Sequence, residues 1–165
     1  MQDTMSNKSD PASSPTVSWS PIGTVACEVD HTEIKKRRKT IVSKIVVFEE
    51  FQDGLKGITD YSHLMIIFWM HKRKNNPQLI GHPRGNEDYP TYGAFAYRGT
   101  NHPNPIGLAV VELLECTNNC IIVKGLDAFD KTPVIDIKPY DHFDIVQKPK
   151  VPEWFRARLE APCHD

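Results

Sequence analysis

The sequence predicts an all-β protein, mainly antiparallel, folded as a small β-barrel with a few short helical segments and a C-terminal helix. From Val17 onward, short segments rich in Val, Ile, Phe and Tyr alternate with clusters of Gly, Pro, Asn and Asp, which is typical of strands joined by turns. Strands do not alternate regularly with helices, so a doubly wound parallel sheet is disfavoured. A length of 165 residues fits one globular domain.

Apolar patterns predict the individual strands in order along the chain. The predicted strands are residues 22–28, 41–48, 61–71, 93–98, 106–116, 120–125 and 134–137. The third is a nearly continuous apolar run, the pattern of a strand buried on both faces or of a barrel wall. After it, residues 72–92 form a long excursion rich in Pro and Gly, and such loops tend to be functional or mobile. Pro152 suits the first turn of a helix, which predicts the C-terminal helix directly after it.

Three parts are expected along the chain: a flexible tail at 1–17, a barrel domain at 18–150, and a helix with a tail at 151–165. The first part has almost no large apolar side chains, so it cannot offset the entropy of ordering. It also lacks the apolar stretch of a signal peptide, and the longest apolar run, 64–70, is far shorter than the roughly 20 residues of a membrane span. We therefore expect a cytoplasmic protein without a membrane segment.

The overall charge gives no general attraction for nucleic acid, because 20 Lys and Arg face 21 Asp and Glu. Any contact with nucleic acid must use a local patch. Five successive cations, Lys35 to Lys39, form such a patch between the first two predicted strands. This run is either a solvated loop or a phosphate-binding arm.

The cysteines do not indicate a metal site or a disulfide framework. Four cysteines are typical of a reduced compartment, and only Cys116 and Cys120 are close in sequence. The Thr-Asn-Asn between these two indicates a hairpin turn, and no second cysteine pair accompanies it. The fingerprints of dinucleotide-binding loops, P-loops, zinc proteases and serine hydrolases are also absent from the sequence. No metal is therefore expected.

Three segments place polar side chains where packing alone does not require them. In residues 93–107, a loop stiffened by prolines carries the hydrogen-bond donors Arg98 and Asn104. In residues 125–140, Asp136 alternates with apolar neighbours, as in either a site or a surface ladder of ion pairs. In residues 57–72, His71 and Lys72 lie at the end of the long apolar strand.

These segments resemble the TsaA/TrmO family. The matching stretches are GLKGITDYSHLMIIFWMH, GAFAYRGTNHPNPIGLAVVEL and VKGLDAFDKTPVIDIKPY, in the order and at the spacing of the family. The resemblance implies a small antiparallel barrel that forms a homodimer and binds S-adenosyl-L-methionine. It also implies methylation of N6-threonylcarbamoyladenosine at position 37 of tRNA, so tRNA is the expected partner.

The resemblance also implies which residues form the site. The expected cofactor-binding residues are His71, Lys72, Arg98, Asn104, Leu108, Ala128, Phe129, Asp130 and Lys131. A cationic side chain suits the methionine carboxylate, turn backbone can read the adenine edge, and Leu108 can cover the ring. The candidates for a proton acceptor, chosen by residue type alone, are Asp136, Tyr140 and His63.

One position departs from the family pattern and leaves two alternatives open. His102 stands where the family usually has Arg before Pro-Asn-Pro-Ile-Gly, and a histidine is mostly uncharged at neutral pH. The alternatives are a methyltransferase for a small metabolite and a non-catalytic S-adenosyl-L-methionine-binding module with the same fold.

Overall fold

The protein is a closed six-stranded antiparallel barrel, seen in a computed structural model that describes residues 17–73 and 76–160. Residues 1–16 of the expected tail lie outside this part. The barrel strands are β1 Gly23–Ala26, β2 Val42–Val47, β3 His63–Trp69, β6 Ile106–Thr117, β7 Cys120–Lys124 and β8 Pro133–Pro139. Two short strands, β4 Ile80–Gly81 and β5 Tyr92–Gly93, pair separately. The helices are α1 His31–Arg37 and α2 Glu153–Glu160. The predicted fold class is confirmed.

The barrel closes in the order β1-β2-β7-β6-β3-β8 around one apolar core. Side chains alternate along β3, so that Leu64 and Ile66 are fully buried whereas Met65 and Ile67 are half-buried on the outside. This alternation is that of a barrel wall, so the alternative of burial on both faces is wrong.

Antiparallel pairing brings three connections to the same end of the barrel. We call this the loop end; it consists of residues 27–41, 70–105 and 125–132, which join β1 to β2, β3 to β6, and β7 to β8. The opposite end holds the connection 48–62, with its 3₁₀ segments, and the tight turn between β6 and β7. Residues far apart in sequence therefore meet at the loop end.

The structure corrects the prediction of a strand at 93–98. Only Gly93 belongs to a strand there, and Ala94–Ala96 form a 3₁₀ turn. Ala94 and Tyr97 are both buried and lie three residues apart, which is the period of a 3₁₀ turn rather than that of a strand. The apolar composition of residues 93–98 therefore wrongly indicated the two-residue period of a strand.

The basic run 35–39 is not simply a loop, because its first three residues belong to α1. Asp30 caps this helix by accepting hydrogen bonds from the backbone N–H groups of Thr32 and Glu33, at 2.6 and 3.1 Å. Asp30 followed by Glu33 is the sequence pattern of a capping box, which could have predicted the helix. The side chains of Lys35 and Lys36 are outside the described part of the structure.

The predicted C-terminal helix is confirmed as α2, and it packs on the long excursion. The chain leaves β8 at the opposite end and then returns to place Trp154 against Tyr89 and Tyr92, with ring centroids 5.4 and 6.2 Å apart. The excursion itself is fastened by β4 and β5 and by a 2.6 Å hydrogen bond between the His82 ring and the Tyr89 carbonyl. It is thus an ordered part of the loop end.

Candidate functional site

The structure brings eight of the nine expected cofactor residues into two of the three connections of the loop end, 70–105 and 125–132. They are His71, Lys72, Arg98, Asn104, Ala128, Phe129, Asp130 and Lys131. The ninth, Leu108, lies near the same end of β6 with its side chain half-exposed on the outer surface. The loop end is therefore the candidate site.

Two contacts join the end of β3 to the turn between β7 and β8. The Nδ1 atom of His71 lies 3.4 Å from the hydroxyl of the buried Thr132. The Nζ atom of Lys72 lies 5.3 Å from the centroid of the Phe129 ring, in the geometry of a cation–π contact. The second contact joins two expected residues, and the first joins a third expected residue, His71, to Thr132 of the same turn.

The turn 125–132 is held rigidly by contacts with neighbouring segments. Asp130 accepts a 3.1 Å hydrogen bond from the backbone N–H of Cys27, and Lys131 donates its backbone N–H to the Val25 carbonyl at 2.8 Å. Lys131 has φ of 62°, a left-handed conformation that costs free energy in a residue other than glycine. Ala128 is buried and packs inside the turn, so it offers almost no surface to a ligand. The carboxylate of Asp130 thus has a structural task in this protein.

The basic run adjoins this turn through an ion pair. The Arg38 guanidinium lies 3.6 Å from the Asp127 carboxylate, and both side chains are about two-fifths exposed. An exposed pair of this kind contributes little stability. It does, however, place the cations after α1 next to the residues of the candidate site.

A buried polar cluster in the excursion was missed by sequence reasoning. Arg73 donates a hydrogen bond from its guanidinium to the His102 carbonyl, and the His102 Nε2 lies 3.0 Å from the Tyr97 carbonyl. One nitrogen of Arg73 and the Tyr97 hydroxyl are buried without a hydrogen-bond partner. His102, the position that departs from the family pattern, therefore has an internal structural role. A charged residue directly after His71 and Lys72 was the only sequence signal for this cluster.

Gly107 is required by the packing at the start of β6. It pairs with Phe68 of β3, and a Cβ atom at this position would overlap the Phe68 ring. The absence of a side chain at Gly107 thus lets the Pro-stiffened loop continue into β6 in close contact with β3. The backbone N–H of Met70 donates to the Pro105 carbonyl at 2.8 Å and closes the junction.

The three proton-acceptor candidates lie at different heights on the barrel. Asp136 pairs with Ile67, which in turn pairs with Leu108, so these three residues form one row on the outer surface. Adjacent strands are about 4.8 Å apart, which puts Asp136 on the order of 10 Å from Leu108. His63 and Tyr140 lie together at the opposite end, with ring centroids 6.4 Å apart. Within one chain, they do not meet the loop end.

The outer surface of β3 and β6 is apolar. Three cross-strand pairs form it: Met65 with Val110, Ile67 with Leu108, and Trp69 with Ile106. The β6 members of these pairs are 44–46% exposed. Trp19 extends the surface by packing on Trp69, with ring centroids 5.0 Å apart. We call these residues the outer face.

An apolar groove in the described part of the chain does not coincide with the candidate site. It has a volume of about 370 Å³ and lies beside the 3₁₀ segment Glu49–Leu55 at the opposite end. Its lining includes Phe51, Tyr61, Ile137 and Asp136. We place the site at the loop end because directed polar groups converge there, whereas the groove is largely apolar.

Among the described residues, no group of three His, Cys, Asp or Glu side chains is placed to hold a metal ion. In the same residues, no helix is both long and apolar enough to cross a membrane. Cys116 and Cys120 flank the hairpin turn of β6 and β7, as predicted. Burial, with a contribution from Cys120, raises the pKa of the Cys116 thiol above its usual value.

Comparison with known proteins identifies the family. A family model described as the tRNA-methyltransferase O N-terminal domain matches residues 31–144, more than half of the chain. The chain belongs to this family. A family member from Archaeoglobus fulgidus, named S-adenosyl-L-methionine-binding protein, is 42% identical over 99 residues, which are 60% of this chain and 69% of that protein. The Escherichia coli tRNA (adenine(37)-N6)-methyltransferase is 40% identical over 100 residues, 53% of this chain and 40% of that protein.

Solved structures of the family share the fold. The crystal structure of TrmO from Pseudomonas aeruginosa superposes with a TM-score of 0.66 at 28% identity, covering 82% of this chain and 62% of that chain. A second relative from Archaeoglobus fulgidus, named a probable S-adenosyl-L-methionine-binding protein, is 44% identical over 113 residues, and this chain spans only 30% of its length. The family barrel is therefore shared with longer proteins.

Proposed function

We propose that this protein is an S-adenosyl-L-methionine-dependent methyltransferase that methylates N6 of N6-threonylcarbamoyladenosine at position 37 of tRNA. The observation on which the proposal depends is the convergence of two separate connections at one barrel end: 70–105, which carries His71 and Arg98, and the turn 125–132. The names of relatives, which include S-adenosyl-L-methionine binding and tRNA (adenine(37)-N6) methylation, support the same activity.

The residues of the loop end suit the chemical groups of the proposed cofactor. Arg98 and Lys131 are exposed cations that can bind the methionine carboxylate. The rigid backbone of the turn 125–132 offers amide and carbonyl groups to the adenine edge, and Leu108 presents half-exposed apolar surface to its ring. Bound S-adenosyl-L-methionine supplies an electrophilic methyl group on its sulfonium.

The protein has two tasks in this reaction. The first is alignment: Arg98, Asn104 and the turn hold the reactants so that the accepting nitrogen faces the methyl carbon. The second is removal of the proton that the nitrogen releases. Of the three candidates, we propose Asp136, because its side chain shares an outward row with Leu108 and is 40% exposed. Lys138 forms an ion pair with Asp136, with 2.8 Å between the ammonium and the carboxylate.

We also propose that the protein is a homodimer that forms through the outer face. Contiguous exposed apolar surface on a soluble fold marks an interaction site. A two-fold axis along the outer face would lay its apolar pairs against those of a second copy, with Leu108 at the boundary between this interface and the proposed cofactor site. Dimerisation would also bring residues of the opposite end, such as His63 and Tyr140, near the loop end of the partner if the axis is perpendicular to the strands.

The experiment that tests the proposed function is methyl transfer from labelled cofactor to tRNA. Transfer is expected to tRNA that carries N6-threonylcarbamoyladenosine at position 37 and not to tRNA with unmodified adenosine there. Mass spectrometry of the nucleosides locates the methyl group. Cofactor binding without transfer to this tRNA would instead favour a non-catalytic binding module. The archaeal relatives are named for S-adenosyl-L-methionine binding alone.

A further inference from the structure

We infer that Phe95 is a stacking platform for an unpaired base of the RNA acceptor, an inference that rests on the proposed function. The Phe95 side chain is 78% exposed at the tip of the 3₁₀ turn Ala94–Ala96. Its neighbours Ala94 and Tyr97 are buried. The turn is therefore anchored by Ala94 and Tyr97 and presents the Phe95 ring to solvent.

The Phe95 ring is held in place before any ligand binds. Its edge contacts the His102 ring, with centroids 5.8 Å apart and planes inclined by 66°. His102 is itself fixed, because its ring meets the Tyr97 carbonyl and its own carbonyl accepts from Arg73. The backbone of the turn is anchored by a 2.8 Å hydrogen bond from Ala94 to the Leu79 carbonyl. An aromatic ring with fixed orientation loses little entropy when it binds a ligand.

The surroundings of Phe95 favour a nucleobase over an apolar peptide. Ala96, Arg98, Gly99 and Thr100 are all exposed, so small and polar groups surround the ring rather than an apolar groove. Bases stack on exposed aromatic side chains whatever their sequence, while neighbouring cations bind the phosphates. Arg98, which we assign to the cofactor carboxylate, lies three residues after Phe95, so the ring adjoins the proposed cofactor site.

The exposure of Phe95 also indicates that its ring binds the RNA acceptor rather than the adenine of the cofactor. Small ligands are usually enclosed in clefts that cover most of their surface. A ring that protrudes from a surface turn suits instead a large partner that docks from outside. We therefore assign the platform to RNA.

The test uses the full chain and compares three variants. Phe95→Ala removes the ring, Phe95→Trp keeps a stacking surface, and Phe143→Ala removes an 88% exposed Phe that follows β8 at the opposite end. Affinity is measured for a fluorescent anticodon stem-loop carrying N6-threonylcarbamoyladenosine, and for S-adenosyl-L-methionine by calorimetry. The stem-loop is also prepared with an abasic site at each loop position in turn.

Phe95→Ala is expected to weaken RNA binding on the order of 5- to 150-fold, the range of one stacked base. Phe95→Trp and Phe143→Ala should bind RNA as the wild type does, and all variants should bind the cofactor equally. One abasic position should abolish the difference between Phe95→Ala and the wild type, because the stacking partner is then gone.

Unchanged RNA affinity in Phe95→Ala, or an equal loss with every abasic stem-loop, overturns the inference. A loss of cofactor affinity with unchanged RNA affinity overturns it as well and assigns the ring to the cofactor. Failure of the proposed function is distinguishable, since the wild type itself would then neither bind nor methylate the stem-loop.

Discussion

The Lys72 ammonium lies 5.3 Å from the centroid of the Phe129 ring and so connects the end of β3 to the turn before β8. These residues are 57 positions apart in the chain, and the contact forms only because β3 and β8 are neighbours in the barrel. Together with the approach of His71 to Thr132, it holds two walls of the candidate site at a fixed separation.

Replacing Phe129 by Leu keeps an apolar side chain but removes the π face that Lys72 contacts. A cation–π contact at an exposed site contributes about 0.5–1 kcal/mol, so cofactor affinity should fall roughly two- to fivefold. Calorimetric titration with S-adenosyl-L-methionine measures this loss. Phe129→Tyr retains an aromatic face and should bind like the wild type; an equal loss in both variants would count against the cation–π role.

Arg98→Ala tests the cationic anchor of the proposed cofactor carboxylate. Arg98 is exposed, so its removal should leave the unfolding midpoint unchanged. Hydrogen bonds to charged groups contribute about 1.5–3 kcal/mol, which predicts an affinity loss of roughly 10- to 100-fold. Arg156→Ala, which removes an exposed cation from α2, is the matched control. Equal affinities in wild type and both variants would remove Arg98 from the site.

Gly107→Ala tests the junction between the Pro-stiffened loop and β6. The added methyl group would overlap the Phe68 ring, and forced overpacking of a core costs about 1–3 kcal/mol. Urea denaturation should therefore show a lower free energy of unfolding. Gly54→Ala is the control, because a Cβ there meets no atom within 4 Å. If the two variants were equally stable, the close approach of Gly107 to β3 would not prevent a larger side chain at this position.

The regular part of the fold could be predicted from the sequence because local pattern and tertiary environment agree there. The apolar segments that predicted β3 and β6 are such cases, since each strand has one face toward the core. The strand expected at 93–98 was wrong because burial follows the three-residue spacing of Ala94 and Tyr97. Similarly, α1 depends on one capping residue, Asp30, rather than on a long amphipathic pattern.

The candidate site was predictable only in part, because its contacts join distant segments. His71, Arg98 and the turn 125–132 were identified from family motifs, and the topology places them at one end. The role of His102 could not be seen from the sequence, since its carbonyl bonds to Arg73, 29 residues earlier. No spacing rule predicts a partner across an irregular excursion of that length.

Val110→Glu tests the proposed dimer. This substitution puts a charge within the outer face, where desolvation on association would be unfavourable. Sedimentation velocity should show the wild type as a dimer and the variant as a monomer. Val42→Glu changes an equally exposed valine on β2, opposite Lys124, and should remain dimeric. A wild type that sediments as a monomer would refute the interface.

The pH dependence of stability tests the environment of Cys116. Burial raises the pKa of this thiol in the folded protein, so the folded state retains the proton longer than the unfolded state does. Stability from this effect is complete below the unfolded pKa, near 9.0, and is lost as pH rises above it. Urea denaturation on both sides of this pH should show a steeper decline for wild type than for Cys116→Ala. Parallel declines would contradict the predicted burial effect.

The most direct test of the central claim, that the loop end is the cofactor site, is backbone NMR during titration with S-adenosyl-L-methionine. Amide shifts are expected to concentrate at residues 71–73, 98–108 and 125–132, the three walls of the site. The groove beside Glu49–Leu55 provides the competing location on the same molecule. Shifts confined to Phe51, Tyr61 and Ile137, with the loop end unchanged, would contradict the account.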